Sequence, residues 1–164
     1  MKLFHGTNHD IESIDLTVGQ KYKDFGQGFY LTPDMDTAER MAVKKSRLFG
    51  GTPVVIVYEF DSVGAALSDL NIKEFPEKAT SEWIRFIDRN RDKAKAISHH
   101  GYDVVIGPIA DDGVVLQLTN FRNEIVTPEE AASRLQDKYL DQQYYFGSDK
   151  SLSFLKKIDV WQIS

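Results

Sequence analysis

The stretch at residues 24–32, Asp24-Phe25-Gly26-Gln27-Gly28-Phe29-Tyr30-Leu31-Thr32, sets two glycines among aromatic side chains. Glycine has no Cβ, so these positions can adopt backbone conformations that are closed to other residues. The rings beside them offer flat surfaces, and stacking on such a ring contributes about 0.5–1.5 kcal/mol beyond its burial. The pattern fits the wall of a pocket for a planar ligand and, equally well, a glycine bulge beside core aromatics.

Two further segments combine polar groups with predicted strands. In Leu3-Phe4-His5-Gly6-Thr7 an apolar strand delivers a histidine and then a glycine, beside which a ligand can approach the backbone closely. A neutral histidine can donate a hydrogen bond to a sugar hydroxyl. In residues 141–146, polar side chains lead into an aromatic strand. Taken singly, the first segment also fits a strand-end histidine next to a turn, and the second an ordinary strand with polar residues at its mouth.

Length and composition predict one domain spanning residues 1–164. The chain has 164 residues, of which 41% are apolar, enough to fill a single core. It shows no repeat, no low-complexity segment and no flexible linker. The absence of cysteine excludes disulfides, zinc–thiolate sites and a cysteine nucleophile, and it fits a reducing compartment.

Targeting and charge predict a cytoplasmic protein without a broad nucleic-acid surface. The first residues lack the apolar core of a signal peptide, and no apolar run approaches the roughly 20 residues of a membrane-spanning helix. We therefore expect no membrane association. The net charge of −5 disfavours extensive phosphate contacts. Basic runs at residues 44–47 and 89–91 are interpreted as solvated helix faces.

The order of predicted elements favours an α+β fold with largely antiparallel sheets. Capping residues and apolar periodicity predict helices at residues 32–48, 80–99, 127–139 and, briefly, from Ser148. Runs of β-branched and aromatic residues predict strands at 3–5, 53–60, 102–106, 114–118, 142–146 and 158–163. Strands and helices do not alternate regularly, and no Gly-x-Gly-x-x-Gly joins a strand to a helix, so a doubly wound dinucleotide fold is unsupported.

Histidine spacing does not predict a metal site. His5 and His9 are four residues apart, but Gly6 and Asn8 disfavour the helix that would place them together. The neighbours His99 and His100 are interpreted as a solvated helix end. We therefore expect no metal.

Together and in this order, the three segments resemble the ADP-ribosyltransferase superfamily, in its diphtheria-toxin and poly-ADP-ribose-polymerase branch with a His-Tyr-Glu signature. Phe4-His5-Gly6-Thr7 is similar to that branch's His-Gly-Ser/Thr strand. Gly26-Gln27-Gly28-Phe29-Tyr30-Leu31 is similar to its Gly-x-Gly-Ile-Tyr-Phe segment, and Gln143-Tyr144-Tyr145-Phe146 to its Glu-Tyr-Ile-Val strand with glutamine in the glutamate position. The chain also resembles a bacterial family of unknown function within that superfamily, through residues 24–32, Glu82-Trp83, Tyr102-Asp103, residues 107–112 and the Gln143 strand.

The resemblance implies split, mainly antiparallel sheets with flanking helices around an NAD cleft, NAD being a substrate. It implies that His5 bonds a ribose hydroxyl, that Gly6 holds the nicotinamide carboxamide and that Tyr30 stacks on the nicotinamide ring. The residue at 143 would contact the 2′-hydroxyl of the nicotinamide ribose. The implied catalytic residues are His5, Tyr30 and Gln143, and the implied NAD-binding residues are His5, Gly6, Thr7, Gly28, Phe29, Tyr30, Met41 and Gln143.

Two departures from the family pattern affect the expected chemistry. Gln143 carries no charge, so its hydrogen bond to ribose would be about half as strong as that of a carboxylate, and it cannot act as a general base. Asp111 and Asp112 could restore the charge if their loop reaches the site; a polar turn with Gly113 is the alternative. Met41 falls near the place of a second stacking aromatic, which predicts a weaker sandwich and transfer of single units.

These features lead us to expect a mono-ADP-ribosyltransferase, a pentosyl-type glycosyltransferase, that acts on a protein or nucleic-acid acceptor. A toxin or effector role with an antitoxin or regulatory partner is a secondary expectation. A catalytically weak or silent module that binds NAD or ADP-ribose is an alternative that Gln143 supports. An NAD-dependent RNA 2′-phosphotransferase is a further alternative, disfavoured by the acidic net charge.

Overall fold

Two sheets form the centre of the fold in the computed structural model, which describes residues 1–94 and 99–164. The first sheet contains three antiparallel strands in the order β1 (Lys2–Thr7), β3 (Val54–Phe60) and β7 (Leu155–Gln162). The second contains four in the order β2 (Phe29–Leu31), β6 (Gln142–Phe146), β5 (Val104–Pro108) and β4 (Ile72–Glu74). Only the β4–β5 pair is parallel among these described ladders, so the α+β prediction is confirmed.

Helices cover the outer faces of the two sheets and also border the core between them. Those of the described ranges are α1 (Met35–Phe49), α2 (Ser62–Leu67), α3 (Ser81–Arg91), α4 (Asp112–Arg122), α5 (Pro128–Arg134) and α6 (Asp149–Leu152). The predicted caps at Thr80 and Thr127 are confirmed, the latter with its full capping box. The first helix begins later than predicted, at an Asp34 cap, because Thr32 is held in an extended backbone ladder.

Alternation along the strands sends successive side chains into different cores. One core lies between the sheets and includes Leu3, Ile56 and Phe146. A second fills the space between the other face of the four-stranded sheet and the helices α3, α4 and α5. A third, smaller one packs Ala38 and Ala42 of α1 on the outer face of the three-stranded sheet. The layers are therefore helix, sheet, sheet and helices.

The two sheets join at one point near the start of the chain. The amide of Phe4 donates to the Thr32 carbonyl at 2.8 Å, and the amide of Thr32 donates to the Phe4 carbonyl at 2.9 Å. Beyond this bridge β1 continues in the first sheet, while β2 belongs to the second. The strands part here, and the cavity described below lies beside this point.

Several predicted elements differ in type or length. Residues 114–118, predicted as a strand, lie in helix α4, because the Asp111 carboxylate caps the amide of Val114 at 3.1 Å and Val114 and Leu118 share one buried helical face. Helix α3 ends at Arg91 rather than near residue 99, and residues 95–98 lie outside the described ranges. Helix α5 ends at Arg134 rather than near residue 139, and β7 begins three residues before its predicted start. No helix of the described residues is long and apolar enough to cross a membrane.

Gly6 fixes how closely helix α1 approaches β1. A Cβ at this position would overlap the carbonyl oxygen of Ala38 and lie 2.8 Å from the amide nitrogen of Ala42. These are backbone atoms of α1 and cannot move aside independently. Gly6 therefore permits close contact between strand β1 and helix α1. The sequence had predicted a different contact, between a ligand and the backbone of Gly6.

We predict that Gly6→Ala lowers the free energy of unfolding by about 1–3 kcal/mol, the cost of overpacking a filled site. Gly113→Ala is the matched control, because its added methyl meets the flexible end of Lys138, lies at ordinary contact distance from the Asp111 carboxylate and replaces a glycine within helix α4. That control should be neutral or stabilising by up to about 1 kcal/mol. Urea unfolding of both variants measures the contrast, and equal effects would contradict the steric role of Gly6.

Candidate functional site

A cavity of about 440 Å³ lies where β1 and β2 separate. Its size falls within the range of small-molecule pockets. Its wall is assembled from β1, β2, α1, the end of α3, β6 and the loops at residues 20–24 and 109–110. His5, Gly6, Tyr30, Met41 and Gln143, from four separate elements of the chain, all line it.

The imidazole of His5 is held in one orientation and one tautomer. Its ring stacks on Phe29 with centroids 4.4 Å apart, and its Nδ1 lies 2.7 Å from the Tyr30 carbonyl oxygen. A carbonyl only accepts, so Nδ1 carries the proton and the neutral ring presents Nε2 as an acceptor. The sequence predicted a histidine that donates to a sugar hydroxyl; in this tautomer the Nε2 of His5 can only accept a hydrogen bond. Burial, aided by the nearby charges of Lys45 and Lys23, lowers the pKa of His5 to about 3.

Tyr30 borders the cavity with its ring, while its hydroxyl is used for structure. The hydroxyl donates to the Gly26 carbonyl at 2.6 Å and accepts from the Phe25 amide at 3.0 Å. Burial raises the pKa of Tyr30 well above its ordinary value, so it stays a neutral phenol. The ammonium of Lys23 lies 4.2 Å from the ring centroid and forms a cation–π contact.

Gly6 offers backbone groups to the cavity. In β1, the peptide groups of Phe4 point away from β3, since they bond Thr32. Peptide groups of alternate residues in an antiparallel strand face the same edge. The N–H and C=O of Gly6 therefore also face away from β3, on the edge beside the cavity.

Gln143 is buried and its amide group is fixed by two hydrogen bonds. Its side-chain nitrogen donates to the carboxylate of Asp24 at 2.9 Å and to the Pro108 carbonyl at 3.0 Å. Its exposed fraction is only 6%, so this amide is positioned by protein groups rather than by water. The structure thus joins Gln143 directly to a carboxylate that the sequence analysis did not single out.

Asp24 is the only acidic side chain among the described residues that line the cavity. Besides Gln143, it accepts hydrogen bonds from the Ala110 amide at 3.0 Å and from Arg91 at 3.2 Å. Its side chain is 14% exposed. The signal for this residue was present in the sequence, because Asp24 opens the glycine-bracketed aromatic stretch, but nothing local shows that it meets position 143.

The cavity wall is predominantly cationic. Four basic side chains line it, against the single carboxylate of Asp24: Lys23, Lys44, Lys45 and Arg91. Lys44, Lys45 and Arg91 belong to the two basic runs interpreted from sequence as solvated helix faces; Lys44 is exposed as expected, but Lys45 and Arg91 are partly buried, so the interpretation is wrong for these two residues. Burial and the charge of Lys23 lower the pKa of Lys45 to about 8, and burial also lowers that of Lys23.

Some predicted site residues lie away from the cavity wall. Thr7 is buried and pairs with Val54 in the β1–β3 ladder, and Gly28 packs against the ring of Tyr145. Phe29 points into the core between the sheets and contributes only by supporting His5. Asp111 caps α4 and pairs with Lys138, and neither it nor the exposed Asp112 lines the cavity, so the carboxylate in the site comes from Asp24 instead.

A second, more open groove follows the outer face of α1 and includes Ile163. It draws nearly all its lining from one helix, whereas the cavity between the strands gathers polar groups from distant segments. No group of three or more metal-ligating side chains occurs among the residues that the structure describes.

The fold and its cavity define an α+β protein with a cationic cleft between two sheets. The chain belongs to the DUF3990 family, described as a protein of unknown function, and the match covers residues 1–157. No curated protein and no solved structure gives a significant match.

We predict that His5 stays neutral from pH 8 down to pH 4.5, with its proton on Nδ1. Because its folded pKa of about 3 lies below the ordinary value of 6.5, the unfolded state binds the proton first. Folding stability is therefore lost as the pH falls below about 6.5, by up to about 1.4 kcal/mol per pH unit from this residue. Long-range ¹H–¹⁵N NMR of the imidazole measures the protonation state and the tautomer of His5. A His5 signal that titrates near pH 6.5 would contradict the assignment.

Proposed function

We propose that this protein is an ADP-ribosyltransferase that transfers a single ADP-ribose unit from NAD to an acceptor. The observation that carries the proposal is the convergence of His5, Tyr30 and Gln143 on one cavity. These residues lie in β1, β2 and β6, and they are the three positions at which the sequence resembles the His-Tyr-Glu signature. Had they lain on separate faces of the molecule, the resemblance would have had no chemical meaning.

Four residues of the cavity wall have a physical role in holding NAD. The unprotonated Nε2 of His5 accepts a hydrogen bond from a ribose hydroxyl. The backbone of Gly6 bonds the nicotinamide carboxamide, and the Tyr30 ring stacks on the nicotinamide. Met41, 39% exposed at the cavity, contributes a thioether contact instead of a second aromatic face. This arrangement orients the bond that breaks.

The reaction needs a negative charge beside the ribose. The bond between the ribose C1′ and the nicotinamide nitrogen breaks, nicotinamide leaves with the electron pair, and the sugar gains oxocarbenium character. The acceptor then forms a bond to the same carbon and loses its proton. A preorganised carboxylate stabilises the positive sugar, and such a group is worth several kcal/mol in a water-poor site.

We assign that charge to Asp24, and to Gln143 the task of positioning it. A glutamate at position 143 would place a carboxylate oxygen where the side-chain nitrogen of Gln143 now lies, 2.9 Å from the Asp24 carboxylate. Two carboxylates at that distance repel, and one of them would be held protonated. Glutamine removes the repulsion and donates to Asp24 instead. The cleft thus keeps one carboxylate, contributed by the 24–32 stretch rather than by β6.

A second candidate is a module that binds NAD or ADP-ribose without turnover. It is favoured by Gln143, which is neutral and uses both amide hydrogens within the protein. The cationic wall also suits the phosphates of an RNA 2′-phosphotransferase substrate. This supports the phosphotransferase alternative, which the net charge of the whole chain disfavours. We further propose a cytoplasmic location and a bacterial toxin or effector role, with a protein or nucleic-acid acceptor and an antitoxin or regulatory partner.

Incubation of the full chain with NAD tests the proposal. We expect release of nicotinamide, and a mass gain of one ADP-ribose unit on any acceptor present. Thermal stabilisation by NAD without nicotinamide release would identify the silent binder, since a ligand specific for the folded state raises its stability. Removal of a 2′-phosphate from RNA would identify the phosphotransferase. No binding of NAD at millimolar concentration would end the NAD assignment.

We predict that Asp24→Asn lowers the rate of nicotinamide release by about 10²–10³-fold, the usual cost of removing one preorganised electrostatic group. The amide retains the size of the side chain, and NAD affinity should change by less than about tenfold. Asp112→Asn is the matched control, because this exposed carboxylate lies outside the cavity. It should leave the rate unchanged. Equal rates for all three proteins would contradict the role of Asp24.

A further inference from the structure

The cleft carries positive charge that its own residues do not neutralise. Lys23, Lys44, Lys45 and Arg91 face a single carboxylate, in a chain whose overall net charge is −5. That carboxylate, Asp24, is already paired with Arg91. Within residues 1–94 and 99–164, neither Lys23 nor Lys45 forms an ion pair.

Both lysines are partly buried rather than extended into water. Both have intermediate exposure, and their charges lie close enough to His5 to lower its pKa. Partial burial of two unpaired ammonium groups beside each other is unfavourable for the empty protein. A concave site that concentrates one sign of charge attracts ligands of the other sign. Partial burial and concentrated positive charge therefore favour the binding of an anion between the two lysines.

Lys23 also covers the ring that the proposed function needs. Its ammonium lies 4.2 Å from the Tyr30 ring centroid, on the ring that borders the cavity. A planar ligand and this ammonium cannot occupy the same ring face. A cation–π contact at a partly exposed site is worth about 0.5–1 kcal/mol, less than a charge-assisted bond to phosphate oxygen. An anion can therefore draw Lys23 away from the ring.

We infer that Lys23 and Lys45, which line the cavity with His5, form an anion subsite for a diphosphate group, and that Lys23 leaves the Tyr30 ring to bind it. The assignment of this group to the diphosphate of a dinucleotide rests on the proposed function, whereas the subsite itself rests on the lining charges. Anion binding and exposure of the ring are then one event. A ligand without phosphate, such as free nicotinamide, meets a covered ring.

Calorimetric titration of the full chain with inorganic pyrophosphate tests the subsite. We expect one site per chain that weakens as ionic strength rises. Lys23→Met and Lys45→Met keep the apolar stem of the side chain and should each weaken binding by roughly tenfold. Lys156→Met removes the same charge from an exposed position on β7 and should bind like the wild type. Equal weakening in all three variants would show only bulk attraction and would overturn the subsite.

Nuclear Overhauser contacts between the Lys23 side chain and the Tyr30 ring test the displacement. They should be present in the free protein and lost at saturating pyrophosphate; contacts that persist overturn the displacement. With ADP-ribose, binding should take up protons near pH 8 because the anion raises the pKa of Lys45 from about 8, and this uptake should vanish in Lys45→Met. Uptake that is unchanged in Lys45→Met overturns its place in the subsite.

The two proposals fail separately. Pyrophosphate binding through both lysines, with no release of nicotinamide from NAD, would support the anion subsite and contradict the transferase proposal. If nicotinamide is released but the affinity for pyrophosphate does not depend on Lys23 and Lys45, the transferase proposal is supported and the anion subsite is contradicted.

Discussion

A single pair of backbone hydrogen bonds, between Phe4 and Thr32, determines where this molecule can hold a ligand. It joins the first strand of one sheet to the end of the first strand of the other. The chain of about 25 residues between them therefore starts and ends at this bridge. On one side of the bridge the sheets pack face to face through apolar side chains. On the other side β1 and β2 separate, and peptide edges and polar groups line the cleft between them. The cleft is therefore a consequence of how two sheets meet, and the groups in its wall follow from which residues stand next to the bridge.

Charge in the cleft comes from the loop at residues 20–24 and from the helices α1 and α3. Asp24 receives hydrogen bonds from an amide side chain, a backbone amide and a guanidinium, so its negative charge is well solvated by protein groups. Arg91, the last residue of α3, belongs to the helical layer, Ala110 follows β5 and Gln143 lies in β6, so the carboxylate joins several elements of the fold. Within the described residues Lys23 and Lys45 form no ion pair, and Lys23 rests on the Tyr30 ring instead. The site is stable as it stands around Asp24, and electrostatically incomplete around Lys23 and Lys45.

The sequence predicted the fold class and most strands, because β-branched and aromatic runs such as residues 53–60 have little alternative to a buried strand. It failed at residues 114–118, where a valine-rich run sits in a helix because Asp111 caps its start and the apolar residues repeat every four positions. The position of His5, Tyr30 and Gln143 in one wall followed from the resemblance. The carboxylate did not, because the contact between Asp24 and Gln143 spans 119 residues of chain and no local pattern reports it. The same holds for Lys45 and Arg91, since a basic run on a helix looks alike whether it faces water or a cleft.

The Asp24–Gln143 hydrogen bond also constrains how such a sequence can diverge. A change from glutamine to glutamate at position 143 brings two carboxylates together while an aspartate occupies position 24, and loss of the aspartate leaves the cleft without a carboxylate while position 143 is uncharged. The route from one arrangement to the other passes through an intermediate with two carboxylates or with none. Relatives should therefore fall into two groups, one with the acid in the loop and one with the acid on the strand, and chains that mix them should be rare. The two positions should therefore change together, and a carboxylate missing at one of them should be sought at the other.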